Sequence, residues 1–159
     1  MIETRRLIIR PFAEADRKTT EALLQDRAFM ENSITGALDA KGSKQRFDQI
    51  LLHSESGSGK QAVTLKPTNL IIGYCGVEPF DLAGNIENEL GYRLIPQYRG
   101  LGLATEAAQA VSNKYFGALF AYVDSENSKS INVLSNIGFS YTGKCSVNGR
   151  EYELFQRIT

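Results

Sequence analysis

Apolar and polar residues recur along this chain in a way that predicts strands and helices in mixed order. Residues 6–12 (RLIIRPF) read as a first strand that proline ends. Residues 13–25 follow as a helix with a weak apolar stripe, since Ala15, Thr19, Ala22 and Leu23 fall on one side. Residues 26–42 carry no clear period and show loop signals at Asn32-Ser33 and Thr35-Gly36. A second helix is expected over residues 43–53, where Phe47, Ile50 and Leu51 have helical spacing. The Ser/Gly-rich residues 54–59 read as a flexible turn.

Strands come next. Residues 61–65 are short and β-prone, 70–77 form a buried-looking run, and 81–85 read as a turn. Residues 86–95 alternate: Ile86, Leu90, Tyr92 and Leu94 share one parity and Glu87, Glu89 and Arg93 the other, which predicts a half-buried strand. Pro96 ends it. The helix that follows carries Leu103, Ala107, Ala110, Val111 and Tyr115 on one face. Residues 118–123 read as another apolar strand, and 127–136 as a helix with Ile131 and Leu134 inward and Gly138 as its stop. A closing hairpin is expected around Asn148-Gly149, a type I′ turn signal. Hairpins and crossovers in one chain predict a mixed sheet in an α+β fold. With 159 residues, no internal repeat and no linker, a single domain over residues 1–159 is expected.

Composition narrows the picture mainly by exclusion. The hydrophobic fraction of 42% and charged fraction of 23% are those of an ordinary globular chain. Eighteen basic residues balance eighteen acidic ones. No global field therefore draws the chain to nucleic acid or an anionic membrane, and neither is an expected partner. No apolar run reaches bilayer length, and residues 1–6 lack the apolar core of a secretion signal, so a cytoplasmic chain is expected. Cys75 and Cys145 show no metal-ligand spacing and are expected to be reduced structural residues, with no metal site. His53, the single histidine, is expected at the surface.

The candidate chemistry lies in Gln97-Tyr98-Arg99-Gly100-Leu101-Gly102-Leu103-Ala104-Thr105-Glu106-Ala107. Two glycines one residue apart join a strand to a helix, so backbone can approach a ligand without an obstructing Cβ. The helix start adds unpaired N–H groups and a positive dipole end, which together suit an anion such as a pyrophosphate. Thr105 stands where a dinucleotide fingerprint requires its third glycine. Gly57-Ser58-Gly59-Lys60 fails as a phosphate loop, because Ser54 replaces the first glycine and Gln61 follows the lysine.

These segments together resemble the GNAT superfamily of N-acetyltransferases, and within it the ribosomal-protein N-acetyltransferase branch (RimJ/RimL-like). Gln97, Gly100 and Gly102 meet the acetyl-CoA motif Q/R-x-x-G-x-G/A, and Ala104 to Ala107 the A-T-E-A continuation. Glu89, Gly91 and Tyr92 meet the preceding E-x-G-Y signature, and Asn127, Ser130, Gly138 and Phe139 meet N-x-x-S before G-F. The opening Thr4-Arg5-Arg6-Leu7-Ile8-Ile9-Arg10-Pro11 looks like the branch's first strand. The resemblance implies a GNAT-like central sheet of about seven strands, mixed but mostly antiparallel. About four helices flank it, and it splays between the fourth and fifth strands.

The resemblance also implies direct acetyl transfer from acetyl-CoA to a primary amine, on a protein N-terminus or a small molecule, by a monomer or homodimer. Backbone N–H groups from Arg99 through Gly100, Leu101, Gly102, Leu103 and Ala104, beside Thr105, would hold the pyrophosphate. The strand end at Leu94 and Ile95 would pair with pantetheine. Arg99 reads either as a charge-assisted phosphate contact or as a solvated side chain. Asn127 reads as a pantetheine contact, as a helix N-cap, or both. A general base is needed because a lysine-like amine titrates near ~10.4. Glu89 is the first choice and Glu87, of the same parity, the second. The alternative that both are ordinary solvent-facing or salt-bridged carboxylates stays open. A backbone N–H near Leu94 would stabilise the oxyanion. Many superfamily members place an acidic tyrosine where this chain has Leu134, so Ser130 is the candidate acid, or else a helix-surface serine. Phe29, Met30 and Phe47 line the acceptor wall or belong to the core. Two other functional classes fit the same residues: a non-catalytic acyl-CoA-binding sensor, and a partner-binding domain without cofactor.

Overall fold

Apolar runs and alternating segments become one eight-stranded sheet in the computed structural model, which describes residues 1–159. Its strands are β1 (Ile2–Glu3), β2 (Leu7–Arg10), β3 (Gly59–Leu65), β4 (Leu70–Leu82), β5 (Asn85–Leu94), β6 (Ala118–Val123), β7 (Ser140–Val147) and β8 (Arg150–Ile158). Four helices flank it: α1 (Arg17–Leu24), α2 (Ala40–Glu55), α3 (Leu103–Ser112) and α4 (Ser128–Asn136). The strand order is β1-β2-β3-β4-β5-β6-β8-β7, and every pair is antiparallel except β5 with β6. The extra strand beyond the expected seven is β1, which adds to the edge through Ile2 opposite Ile9 and Glu3 opposite Ile8.

Side-chain alternation assigns the two faces of the sheet. On one face Leu7, Ile9, Val63, Ile72, Leu90 and Leu94 form the main core with Leu103, Ala107 and Val111 of α3 and Leu134 of α4. On the other face Ala62 and Tyr74 pack with Phe12, Phe29, Phe47 and Ile50 around α1 and α2. At the far end of that second face Phe120, Tyr152 and Leu154 form a separate apolar cluster with Phe80 and Tyr122 against it. Each fully buried Leu, Ile or Phe contributes about 1.5–3 kcal/mol, so these clusters set the strand register.

Several boundaries differ from the sequence reading for local reasons. The segment 13–25 divides into a 3₁₀ turn, Glu14–Asp16, and α1. The Asp16 carboxylate accepts from the Ala13 N–H at 2.8 Å and pairs with Arg10, which fixes this entry. α2 begins at Ala40, earlier than residue 43, because Asp39 caps it by accepting from the Gly42 N–H at 2.7 Å. β4 runs on to Leu82, and Ala83 and Gly84, both at positive φ, close a tight hairpin into β5. The tip of that hairpin extends past the packed layers, so Ile86 is exposed although its parity predicted burial. The final hairpin turns at Asn148-Gly149 with positive φ at both residues, as the turn chemistry predicts. No helix is long and apolar enough to cross a membrane.

Candidate active site

β5 and β6 touch in register only at Glu89 opposite Phe120. Beyond that point the two parallel strands part, and a cavity of about 360 Å³ occupies the gap. Leu90, Tyr92 and Ala121 line it from the main-core side, with Ser130 and Leu134 of α4. Lys60, Glu78, Glu89, Tyr122 and Tyr152 line it from the other face. The cavity therefore passes through the sheet. Opened strands leave polar backbone groups without partners, which makes such a gap a ready place for an extended ligand.

At the end of β5 the Ile95 N–H donates to the Ile72 carbonyl at 2.7 Å. By antiparallel alternation the N–H of Leu94 then points away from β4, toward the split. The Leu94 carbonyl accepts from the Arg99 guanidinium at 3.0 Å. Arg99 also reaches the Ala28 carbonyl at 3.1 Å and Glu31 at 3.4 Å, so its charge ties the strand end to the 28–31 loop. Neither of the two roles read for Arg99 describes this arrangement.

A 3₁₀ turn, Pro96–Tyr98, leads from β5 into the glycine turn. It uses the Arg99 N–H, which donates to Pro96 at 3.1 Å. The N–H groups of Gly100, Leu101, Gly102, Leu103, Ala104 and Thr105 donate to no acceptor in the chain. The unpaired run thus starts one residue later than read from the sequence. Gly100 and Gly102 hold φ of 77° and 81°, a left-handed conformation that costs other residues roughly 1–2 kcal/mol. The left-handed glycines precede the N-terminus of α3, whose unpaired N–H groups and positive dipole end suit an anion. A Cβ at Gly100 would meet nothing within 4 Å, so the space before the turn is open. Gln97 is exposed beside it.

Glu106 anchors this turn. Its carboxylate accepts from the Thr4 hydroxyl at 2.6 Å, the Arg6 N–H at 2.8 Å and the Arg6 guanidinium at 2.7 Å. Arg6 in turn donates to the Leu101 carbonyl at 2.9 Å. Burial pushes the Glu106 carboxyl upward, but these bonds outweigh it and hold it below the usual carboxylate range.

A buried ion chain crosses the second face. Glu78 and Glu89 are direct cross-strand partners on β4 and β5. The Lys60 ammonium lies 3.4 Å from Glu78 and 3.5 Å from Glu89, and Arg46 of α2 donates to Glu78 at 3.1 Å. Burial raises the Glu89 carboxyl, Lys60 opposes that, and Glu78 adds to it; the net direction is upward. Glu78 also suffers burial, yet Lys60 and Arg46 together hold it low. Burial disfavours the charged form of Lys60, but its two carboxylate neighbours prevail and keep it a cation. Glu89 is thus not solvent-facing: it is a largely buried carboxylate salt-bridged to Lys60, which meets the salt-bridged alternative. Glu87, two residues earlier, does not line the cavity.

On α4, Asn127 caps the helix by accepting from the Ser130 N–H at 3.3 Å, and it also lines the cavity. The Ser130 hydroxyl lies 2.9 Å from the Tyr92 hydroxyl, which is also 3.1 Å from the Ser130 carbonyl. Burial pushes the Tyr92 phenol well above its ordinary range. Leu134 is fully buried in the cavity wall.

The fold thus brings Glu89, Asn127 and Ser130 to one cavity and sets the Gly100–Gly102 turn at the adjoining strand end. Phe29 and Phe47 belong to the core, whereas Met30 serves both core and cavity. His53 is exposed on α2. Both cysteines are free and buried, and burial pushes the Cys75 thiol up to about 12. Sequence reasoning did not single out Glu78, Arg46 or Tyr152, and met Lys60 only as part of a failed phosphate loop. The available signal was the pair Gly76 and Gly91, because glycine inside a strand marks a close approach.

Comparison with known proteins agrees with this geometry. The pattern of the Acetyltransferase (GNAT) domain family matches residues 6–140. Uncharacterized N-acetyltransferase p20 of Bacillus licheniformis is 32% identical over 127 residues, which cover 76% of this chain and 68% of its own length. The crystal structure of an acetyltransferase from Agrobacterium tumefaciens str. C58 superposes with a TM-score of 0.83 at 26% identity, covering 99% of this chain and 94% of that one. RimL, a ribosomal L7/L12 α-N-protein acetyltransferase solved with coenzyme A, shares the fold with a TM-score of 0.76 at 16% identity, covering 98% of this chain and 95% of its own.

Proposed function

The chain belongs to the GNAT acetyltransferase family, and on that premise we propose that it transfers the acetyl group of acetyl-CoA directly to a primary amine. The observation that carries this reading is the run of unpaired N–H groups from Gly100 to Thr105 beside the open end of the β5–β6 split. That run suits the pyrophosphate, and the outward-facing Leu94 N–H, next to Ile95, suits the pantetheine arm. RimL, which shares the fold, was solved in complex with coenzyme A, and this supports a coenzyme A ligand for the chain.

Acetyl-CoA supplies an acetyl thioester, and the remaining work falls to the chain's own groups. The acceptor reaches the carbonyl carbon as a neutral amine, the C–N bond forms as the C–S bond breaks, and one proton leaves the nitrogen. Glu89 is the base that takes this proton, directly or through a water. Its raised carboxyl brings it closer to the pH at which a base is useful. A backbone N–H near Leu94 is the donor for the developing oxyanion. The Ser130 hydroxyl, held by Tyr92, donates a hydrogen bond to the departing sulfur, and the thiolate finally takes up the proton that Glu89 removed from the amine, through water.

The acceptor site is internally balanced, with Arg46 and Lys60 against Glu78 and Glu89. A polyamine needs surplus carboxylates, so the balance favours an acceptor with one amine. Tyr122 and Tyr152 offer it an aromatic wall, and the Tyr152 hydroxyl, buried without a partner, is free to bond its polar body. A peptide N-terminus, as in the RimJ/RimL-like branch, meets that description, and so does a small aromatic monoamine. A sensor without catalysis is the second reading, favoured by Leu134 where many relatives carry a tyrosine.

Calorimetric titration with coenzyme A tests the shared part of both readings. Saturable binding is expected, and Gly102→Ala should weaken it by up to about tenfold, as the turn shifts to relieve the roughly 1–2 kcal/mol of strain that a Cβ adds to its left-handed conformation. Absence of any heat at high ligand concentration would contradict both.

A further inference from the structure

We propose that Lys60 is a positioning residue whose ammonium, laid across two glycines, lets Glu78 and Glu89 stand side by side while Glu89 stays ready to take a proton. The inference rests on the reading of Glu89 as the base. Its geometry is independent of that reading.

Lys60, Gly76 and Gly91 form one register row across β3, β4 and β5. All three belong to the face that carries Glu78 and Glu89. The lysine stem crosses β4 above Gly76 and delivers its ammonium to 3.4 Å from the Gly76 carbonyl. A Cβ on Gly91 would stand 2.4 Å from the Lys60 Nζ and 2.8 Å from the Glu89 Oε1. The glycine of the E-x-G-Y signature is therefore what makes room for this cation.

Two carboxylates directly opposite on neighbouring strands repel one another. Glu78 and Glu89 are such a pair, and both are largely buried. The groups that face Glu89 from the packed elements are Lys60 from β3, Glu78 from β4, Arg46 from α2 and Tyr122 from β6. Arg46 bonds only Glu78, which leaves Lys60 as the cation that reaches Glu89. Lys60 faces Oε2 at a long 3.5 Å, and Oε1 accepts from no group of the chain. One oxygen is thus steadied by charge and the other is open to a proton from the acceptor.

The test is the pH dependence of kcat/KM for Lys60→Met, which keeps the stem and deletes the charge. An opposite charge this close favours the carboxylate by about one pH unit or more. Removing it should move the acid limb to higher pH by that amount, while coenzyme A binding is unchanged. Should Lys60→Met fail to fold, Gly91→Ala displaces the ammonium without deleting it and should move the limb the same way. Acid limbs of both variants that coincide with the parent's overturn the inference and leave the base reading intact. A limb that survives Glu89→Gln removes the base reading instead. In that case a ¹³C NMR titration of the Glu89 carboxyl decides for Lys60 alone: a higher midpoint in Lys60→Met supports the inference, and an unchanged one overturns it.

Discussion

Gly76 and Gly91 share a register row, yet a methyl group would meet different neighbours at each. At Gly76 it would fall 1.9 Å from the Gly59 carbonyl oxygen, which is backbone and cannot move aside. At Gly91 it meets the flexible end of Lys60 and one carboxylate oxygen. Gly76→Ala should therefore cost about 3 kcal/mol or more of stability, and Gly91→Ala about 1 kcal/mol, measured by denaturant unfolding. Equal losses would mean that the lysine tip is as rigid as the backbone. Residues of this kind mark how far the sequence could be read. Glu89 stood out by its place on a strand beside the glycine turn. Its surroundings did not, because Lys60 lies twenty-nine residues away and meets it only across an intervening strand. The same lysine had been set aside as part of a failed phosphate loop. The surroundings of Arg99 were hidden for a related reason: spacing located its Cα at the turn, but acceptors for its guanidinium come from the 28–31 loop.

Elements were read well where their signals are local. The Asn148-Gly149 hairpin, the Gly138 stop and the strand end at Pro96 each depend on one or two residues. The start of α2 was missed because Asp39 caps it in a stretch without apolar period. The attachment of α3 was equally hidden. Glu106 binds Thr4 and Arg6 about a hundred residues away, and Arg6 holds the Leu101 carbonyl inside the glycine turn. This explains why the Thr4-Arg5-Arg6 start and the A-T-E-A run occur in one chain. Glu106→Gln should lower stability by about 1–2 kcal/mol and weaken coenzyme A binding, since charged hydrogen bonds are lost next to the glycine turn. The pH dependence follows in sign. The folded carboxyl lies below its unfolded value, so its contribution is complete above the usual carboxylate range and fades as pH falls through the lowered value. Thermal melts of the parent and Glu106→Gln should therefore converge in acid; curves that stay parallel across that range would reject the clamp.

At the scale of the whole molecule, the chain's order of strands and helices predicted a mixed sheet, and the family resemblance implied where it opens. The fold delivers that opening by pairing β5 and β6 at a single residue and filling both faces with separate clusters. Between those clusters the cavity combines a buried base candidate, a hydroxyl pair and an aromatic wall. Their charge balance is a property of the assembled molecule, since Arg46, Lys60, Glu78 and Glu89 come from four elements. On the proposed reading, this cavity performs acetyl transfer to an acceptor with one amine. Thiol release from acetyl-CoA, followed over a panel of peptides, aromatic monoamines, polyamines and aminoglycosides, tests it most directly. Turnover is expected on peptides or monoamines, with one thiol released per acetylated nitrogen and little turnover on polyamines. Tight binding of coenzyme A with no thiol release on any acceptor would contradict it and leave a sensor in its place.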